Sequence, residues 1–125
     1  MTSLRRTAIT IASCGFAVLI GSAAHAASFD CAKASTPDEI AICANPQLSN
    51  LDVQMATLYS VRMQLPMLMG ARGAAQDEQR TWLATRTQCG ANVACLQAAY
   101  ASRIQQFNQT ITAAMQDYCV KVGIC

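Results

Sequence analysis

Cysteine spacing constrains this chain more than any other feature of its sequence. Six cysteines follow residue 26, and an even number in a small exported chain is typical of a disulfide framework. They are Cys31, Cys43, Cys89, Cys95, Cys119 and Cys125. Fifteen pairings are open in principle. Joining each cysteine to its nearest neighbour along the chain is the geometrically easiest: 31 with 43, 89 with 95, and 119 with 125.

The N-terminal segment predicts export, which supplies the oxidising compartment that disulfide bonds need. Arg5 and Arg6 precede the apolar run TAITIASCGFAVLIGSA, and Ala24-His25-Ala26 follows as a small-x-small cleavage site. We predict a signal peptide over residues 1–26. A retained membrane anchor is one alternative. Lipidation at Cys14 is another, disfavoured because the uncharged stretch between Arg6 and that site is short.

Cleavage after Ala26 leaves one domain, residues 27–125, with balanced charge. Removing Arg5 and Arg6 leaves seven basic and seven acidic residues. Such a chain lacks the basic field that attracts nucleic acid or anionic lipid. Its one histidine, His25, leaves with the signal peptide, and no C-x-x-C motif is present, so the sequence disfavours metal sites and histidine-based catalysis.

The mature sequence predicts an all-α fold, a small disulfide-stapled bundle of about four helices. Helical spacing of apolar residues is widespread, and alternating runs typical of strands are missing. Thr36-Pro37-Asp38-Glu39 is a capping box that predicts a short helix over 36–44. We expect a second helix from Ser49, ended or kinked by Pro66.

The rest of the sequence predicts a loop over 69–73 and two further helices. One covers 74–89, closed by Gly90, and the other runs from Asn92 to about residue 117. The last helix carries one apolar stripe at three- and four-residue steps, typical of a core face. Its members are Val93, Leu96, Tyr100, Ile104, Phe107, Ile111 and Met115.

The sequence favours a binding protein over an enzyme and predicts no cofactor. Asp38-Glu39 and Asp77-Glu78 are adjacent acids that point apart on a helix, and both pairs lie early in a helix, where acids suit the dipole. A catalytic pair of carboxylates from different helices stays open as an alternative. We expect an Asp–Arg pair among Asp52, Arg86 and Arg103 to be partly buried; presentation of an arginine to a partner is the alternative.

Two further residue types have both a packing and a binding interpretation. Trp82 is expected to pack in or beside the core, with a role as an interface anchor as the alternative. Met55, Met63, Met67 and Met69 are expected to fill the core and the bend near Pro66, although methionine-rich surfaces also bind helices.

The sequence resembles the LprI-type lysozyme inhibitor domain of exported bacterial proteins. The resemblance covers about residues 29–107 and leaves a cysteine-containing tail, 108–125. It rests on FDCAKASTPDEIAICANPQLSNLD, Tyr59, QRTWLATRTQC and ACLQAAYASRI. The residues matching the family pattern are Cys31, Ala34, Glu39, Ile42, Cys43, Leu48, Leu51, Asp52, Tyr59, Gln79, Trp82, Leu83, Arg86, Cys89, Cys95, Leu96, Tyr100, Arg103 and Ile104.

The resemblance implies an all-helical periplasmic or secreted domain whose partner is a protein, in some members a c-type lysozyme. Because lysozymes are basic, acids on the inhibitor would speed the encounter. Our candidate partner-binding residues are Asp38, Glu39, Asp77, Glu78, Trp82 and Arg86. The alternative is a structural or accessory envelope protein with no affinity for lysozyme.

Overall fold

The computed structural model describes residues 27–125, and this part of the chain is all-α, as predicted. A 3₁₀ turn, Cys31–Lys33, precedes four α-helices: α1 (Pro37–Ala44), α2 (Pro46–Gln64), α3 (Met69–Thr87) and α4 (Val93–Val122). The predicted signal peptide and Cys14 lie outside the described residues. No helix in 27–125 is both long and apolar enough to cross a membrane.

The first two helices begin with the same sequence device, a capping residue followed by proline. The capping box of α1 is confirmed: the Glu39 carboxylate accepts hydrogen bonds from the backbone N–H groups of Ser35 and Thr36 at 3.0 and 3.3 Å. For α2 the predicted start at Ser49 is wrong. Asn45 caps that helix and Pro46 is its first residue, because the Asn45 side chain accepts from the N–H groups of residues 47 and 48.

The predicted loop over 69–73 is also wrong, because α3 already begins at Met69. Its first backbone bond runs from the Arg72 N–H to the Leu68 carbonyl at 3.1 Å. The Arg72 guanidinium also donates to the Met63 carbonyl at 2.6 Å, which satisfies an acceptor in the last turn of α2. Pro66 lies just past the end of α2, as expected. The two glycines of this segment lower helix propensity but do not prevent the helix.

The core forms where α4 crosses α1 and α2. Its buried apolar residues are Ile42, Leu48, Met55, Leu96, Tyr100, Ile104 and Phe107. The α4 stripe predicted from the sequence is therefore buried only in its middle. Val93 is 39% exposed and Met115 is 53% exposed. α4 also continues past the predicted end near residue 117, to Val122, where Gly123 closes it with φ of 72°.

Disulfide bonds join the cysteines that are neighbours along the chain. Cys31 pairs with Cys43, Cys89 with Cys95, and Cys119 with Cys125, the arrangement that the spacing favours. The first ties the lead-in segment to α1, an eight-residue helix that would be marginal alone. The second closes the turn between α3 and α4. The third joins the last turn of α4 to the residues after its end, a part of the chain in which no residue is buried.

We expect the first and third bridges to differ in their effect on global stability. Replacing Cys31 and Cys43 with serine should lower the free energy of unfolding by about 2–3 kcal/mol, because a 12-residue loop loses its constraint in the unfolded chain. The same change at Cys119 and Cys125 should cost less than about 1 kcal/mol, because that segment contributes no buried residue to the cooperative core. Urea unfolding of both double variants measures this. Equal losses would contradict the prediction.

Candidate functional site

A buried polar cluster on Arg86 joins all four helices. Arg86 lies near the end of α3, and its Nε donates to Asp38 Oδ2 of α1 at 3.0 Å. Its Nη1 donates to the Tyr100 hydroxyl of α4 at 3.2 Å and lies 3.7 Å from Asp52 Oδ1 of α2. Tyr100 in turn donates to Asp52 Oδ1 at 2.8 Å. The expected burial of an Asp–Arg pair is confirmed.

The lead-in segment completes the cluster. The backbone N–H of Ser28 donates to Asp52 Oδ2 at 2.6 Å, so both oxygens of Asp52 accept hydrogen bonds. The Arg86 guanidinium also lies 5.9 Å from the centre of the Phe29 ring. The segment just past the predicted cleavage site is thus attached to the cluster by a charge-assisted hydrogen bond, and such bonds are stronger than neutral ones.

Contacts within the cluster shift the pKa values of Asp38, Arg86 and Tyr100. Burial alone raises the pKa of Asp38, but the Thr36 hydroxyl and the Arg86 guanidinium outweigh it, so this pKa is lowered. Burial lowers the pKa of Arg86, and its contacts with Tyr100, Asp38 and Asp52 reverse that shift. Burial and the Asp52 carboxylate raise the pKa of Tyr100, which stays a neutral donor. The cluster therefore works as a structural ion network at neutral pH.

A second buried arginine lies on α4. Arg103 donates through Nη2 and Nε to the Gln79 side-chain oxygen of α3 at 3.0 and 3.2 Å. Its guanidinium lies 4.3 Å from the centre of the Phe107 ring. Gln79 also contacts the Met55 sulfur of α2 at 3.2 Å. This arginine therefore links α2, α3 and α4, and burial lowers its pKa.

The six candidate partner-binding residues lie in three different environments. Asp38 and Arg86 are buried in the cluster, and Arg86 also lines a second depression together with Glu39. Glu39 is half-buried and caps α1; the N–H groups of Ser35 and Thr36 lower its pKa. The remaining three share one shallow depression on α3. We call this surface the α3 face: Asp77, Glu78 and Trp82, with Ala74, Thr81, Thr85 and Arg103 completing the lining.

The α3 face combines exposed acids with the edge of an aromatic ring. Trp82 is half-buried and packs edge-on against Tyr100, with ring centres 5.3 Å apart, so packing holds its orientation. Asp77 is exposed and pairs with Arg80 one turn along the helix. Glu78 is exposed and lies 3.4 Å from the Arg62 guanidinium. The Asp77–Arg80 pair is exposed on both sides and therefore weak, so Asp77 remains available to a competing cation. Arg62 is only 13% exposed, so Glu78 presents a carboxylate to solvent and also compensates the charge of a largely buried arginine.

The sequence predicted the helices that carry the two buried polar clusters, but it did not predict all the side chains that take part in them. Tyr100 was expected only as a core residue, and its position in an apolar stripe gives no sign that its hydroxyl bridges Asp52 and Arg86. Gln79 belongs to the family pattern, but its hydrogen bonds to Arg103 depend on the packing of α3 against α4. In residues 27–125 there is no group of three or more metal-ligating side chains.

Comparison with known families gives one match. The model of the family described as Lysozyme inhibitor LprI matches residues 30–121. The chain belongs to this family. The match includes α1 to α3 and nearly all of α4, so it extends past residue 107, where the sequence resemblance ended. Comparisons with curated proteins and with solved structures gave no significant match.

We expect removal of one charge from the buried cluster to destabilise this LprI-family domain strongly. Asp38→Asn keeps the shape of the side chain but leaves Arg86 without one of its two buried carboxylates. The free energy of unfolding should fall by about 3 kcal/mol. The matched control is Asp77→Asn, because Asp77 is also paired with an arginine but is exposed. This change should alter the free energy of unfolding by less than about 0.5 kcal/mol. Similar urea midpoints for the two variants would contradict the role given to the cluster.

Stability should also depend on pH through Asp38. Its pKa in the folded protein is lower than its ordinary value of 3.8, so its stabilising contribution is present above that value. The contribution is lost as pH falls below about 4 and through the lowered folded-state pKa. Below pH about 4, unfolding free energy should therefore fall more steeply in the wild type than in Asp38→Asn, by up to about 1.4 kcal/mol per pH unit. Urea unfolding between pH 2.5 and 7 tests this, and parallel curves would refute it.

Proposed function

We propose that this LprI-family protein binds and inhibits a c-type lysozyme, acts in the periplasm or after secretion, and has no catalytic activity of its own. The family match supports this proposal. The observation that carries it further is the α3 face, which places two exposed acids beside a tryptophan edge. This is the combination of charge and anchor suited to a basic enzyme with a saccharide cleft.

The buried acids support binding over catalysis. Asp38 and Asp52 are 0% and 1% exposed, and both are held by Arg86 and its partners. A glycosidase-like reaction needs two carboxylates that face a substrate cleft. In this fold the closely placed carboxylates from different helices serve the scaffold, and the exposed acids of α3 remain for contact with a partner.

The α3 face also suits recognition because its support is rigid. Trp82 packs on Tyr100, and Arg103 below the depression is fixed by Gln79 and Phe107. Side chains fixed before binding lose little conformational entropy when a partner contacts them. Glu78 and Asp77 then provide charge at the rim, where it affects the association rate and its salt dependence.

An accessory envelope role is the second candidate, and one feature favours it. An apolar groove lies between Leu65-Pro66 and the C-terminal part of α4, lined also by Ala114, Met115, Asp117, Tyr118 and Lys121. Grooves of this kind accommodate amphipathic helices. It contains a single methionine among the lining residues, so it is not the methionine-rich surface that would make this role the stronger candidate.

The oxidised protein, residues 27–125, should inhibit lysis of a peptidoglycan suspension by c-type lysozyme. Inhibition should weaken as salt rises from low to moderate concentration, because exposed charges are screened. Asp77→Asn and Glu78→Gln should each raise the half-inhibitory concentration at least about fivefold at low salt, since a lost charge contact slows encounter. Thermal unfolding of Asp77→Asn should stay close to that of the wild type, because its pair with Arg80 is exposed. Inhibition by Glu78→Gln is compared at a temperature where thermal unfolding shows it to be folded, because that change also removes the carboxylate paired with the largely buried Arg62.

Asp30→Asn is the matched control for Asp77→Asn. Each aspartate is exposed and pairs with a basic residue three positions along the chain, but Asp30 is outside the α3 face. The control should inhibit like the wild type. Equal effects of both changes would remove the α3 face from the proposal. No inhibition by the wild type at large molar excess would leave the family and fold unchanged and favour the accessory role.

A further inference from the structure

The C-terminal half of α4 carries an apolar stripe that the rest of the chain leaves exposed. Buried residues on α4 end at Phe107, and the helix continues for 15 residues, a length of about 22 Å. Ile111, Met115, Tyr118 and Val122 recur at steps of four, three and four, so they lie on one face. We call these four residues the terminal stripe. Ile111 is half-buried, and the other three are 53%, 50% and 46% exposed.

The terminal stripe continues the core face of the same helix. Counting back from Ile111 in the same steps gives Phe107, Ile104 and Tyr100, all buried. The apolar spacing that faces the core in the first half of α4 therefore continues in the second half. There, no other element of residues 27–125 covers it fully. Leu65 and Pro66 border one side of the stripe and leave an open groove.

We propose that a second copy of this chain covers the terminal stripe, with the two α4 helices antiparallel. The charges at the edge of the stripe favour this arrangement. Asp117 and Lys121 are the charged side chains in residues 108–125. They lie one turn apart on the same side of the helix, and the Lys121 ammonium donates to the Asp117 carboxylate within the chain, an exposed pair that is weak enough to exchange partners. Both are well exposed, at 63% and 70% of their side-chain surface.

An antiparallel pair with its two-fold axis near residue 119 places opposite charges together. Asp117 of each copy then faces Lys121 of the other, which gives two complementary contacts. The same register sets Met115 against Val122 of the other copy and brings the two Tyr118 rings together at the axis. A parallel two-fold pair would instead place Asp117 and Lys121 on the opposite edge of the interface from their counterparts, so neither charge would gain an opposite charge from the other copy. The stripe is thus complementary to itself in one orientation.

The overall charge of the mature chain does not oppose this pairing. Seven basic and seven acidic residues give a net charge near zero, so two copies approach without long-range repulsion. The α3 face belongs to a different helix and shares none of the stripe residues. The proposal is therefore independent of lysozyme inhibition.

Sedimentation of the oxidised protein, residues 27–125, at low salt tests the proposal. The weight-average mass should rise from one chain towards two between about 5 µM and about 500 µM, the range in which a small interface associates. Tyr118→Glu should weaken association at least about tenfold, because it places a charge at the centre of the stripe. Met115→Glu is a second variant for the same purpose. Ile40→Glu is the matched control: Ile40 is 54% exposed on α1, and this change should leave association unaltered.

Charge variants test the orientation. Asp117→Lys and Lys121→Asp should each weaken self-association at least about fivefold, since each sets like charges together in the antiparallel pair. An equimolar mixture of the two variants should associate again, and the double exchange should behave like the wild type. If both single variants associate normally, the antiparallel arrangement is wrong.

Three other outcomes would overturn the proposal. A single-chain mass over the whole concentration range would show that no second copy binds. Binding of such a monomer to phosphatidylcholine vesicles would assign the stripe to lipid. Equal weakening by Tyr118→Glu and Ile40→Glu would show that association does not depend on the stripe.

Discussion

The pairing of a buried guanidinium with two buried carboxylates sets the arrangement of the whole domain. Arg86 of α3 reaches Asp38 of α1, Asp52 of α2 and the Tyr100 hydroxyl of α4, so one side chain links all four helices. A buried charge is costly unless its partners are in place, and an incomplete cluster is therefore unfavourable. We therefore expect the cluster to favour the one packing of the four helices in which all its partners meet.

The sequence predicted local structure well where the deciding signal, such as a helix-capping pattern, lies within a few consecutive residues. The capping box of α1, Asn92 at the start of α4 and the all-α class all follow from short patterns. Asn45-Pro46 is an equally good start signal, and giving the start to Ser49 misplaced α2. The 69–73 segment was misjudged because its two glycines suggested a loop, whereas the Arg72 side chain and backbone tie the segment into the helix.

Some of the predicted binding residues are buried and others are exposed. Tertiary packing decides which, and a local sequence pattern carries no information about it. Asp38 and Asp77 both stand early in their expected helices with a glutamate next to them, and nothing local distinguishes them. Asp38 faces α3 and meets Arg86, whereas Asp77 faces solvent. An acid therefore belongs to the scaffold or to the surface according to what the neighbouring helix presents. The domain thereby separates a buried charged cluster from the exposed acids of the α3 face.

All three disulfide bonds join cysteines that are consecutive along residues 27–125. Their sequence separations are 12, 6 and 6 residues. A chain crossing a membrane from its N-terminus would deliver both members of each pair before the first member of the next. Oxidation in order of emergence therefore gives the native connectivity directly, and reshuffling of wrong bridges, which takes seconds to hours, is not required. The spacing makes oxidative maturation compatible with vectorial export: each bridge closes a short loop without waiting for the helices that arrive later.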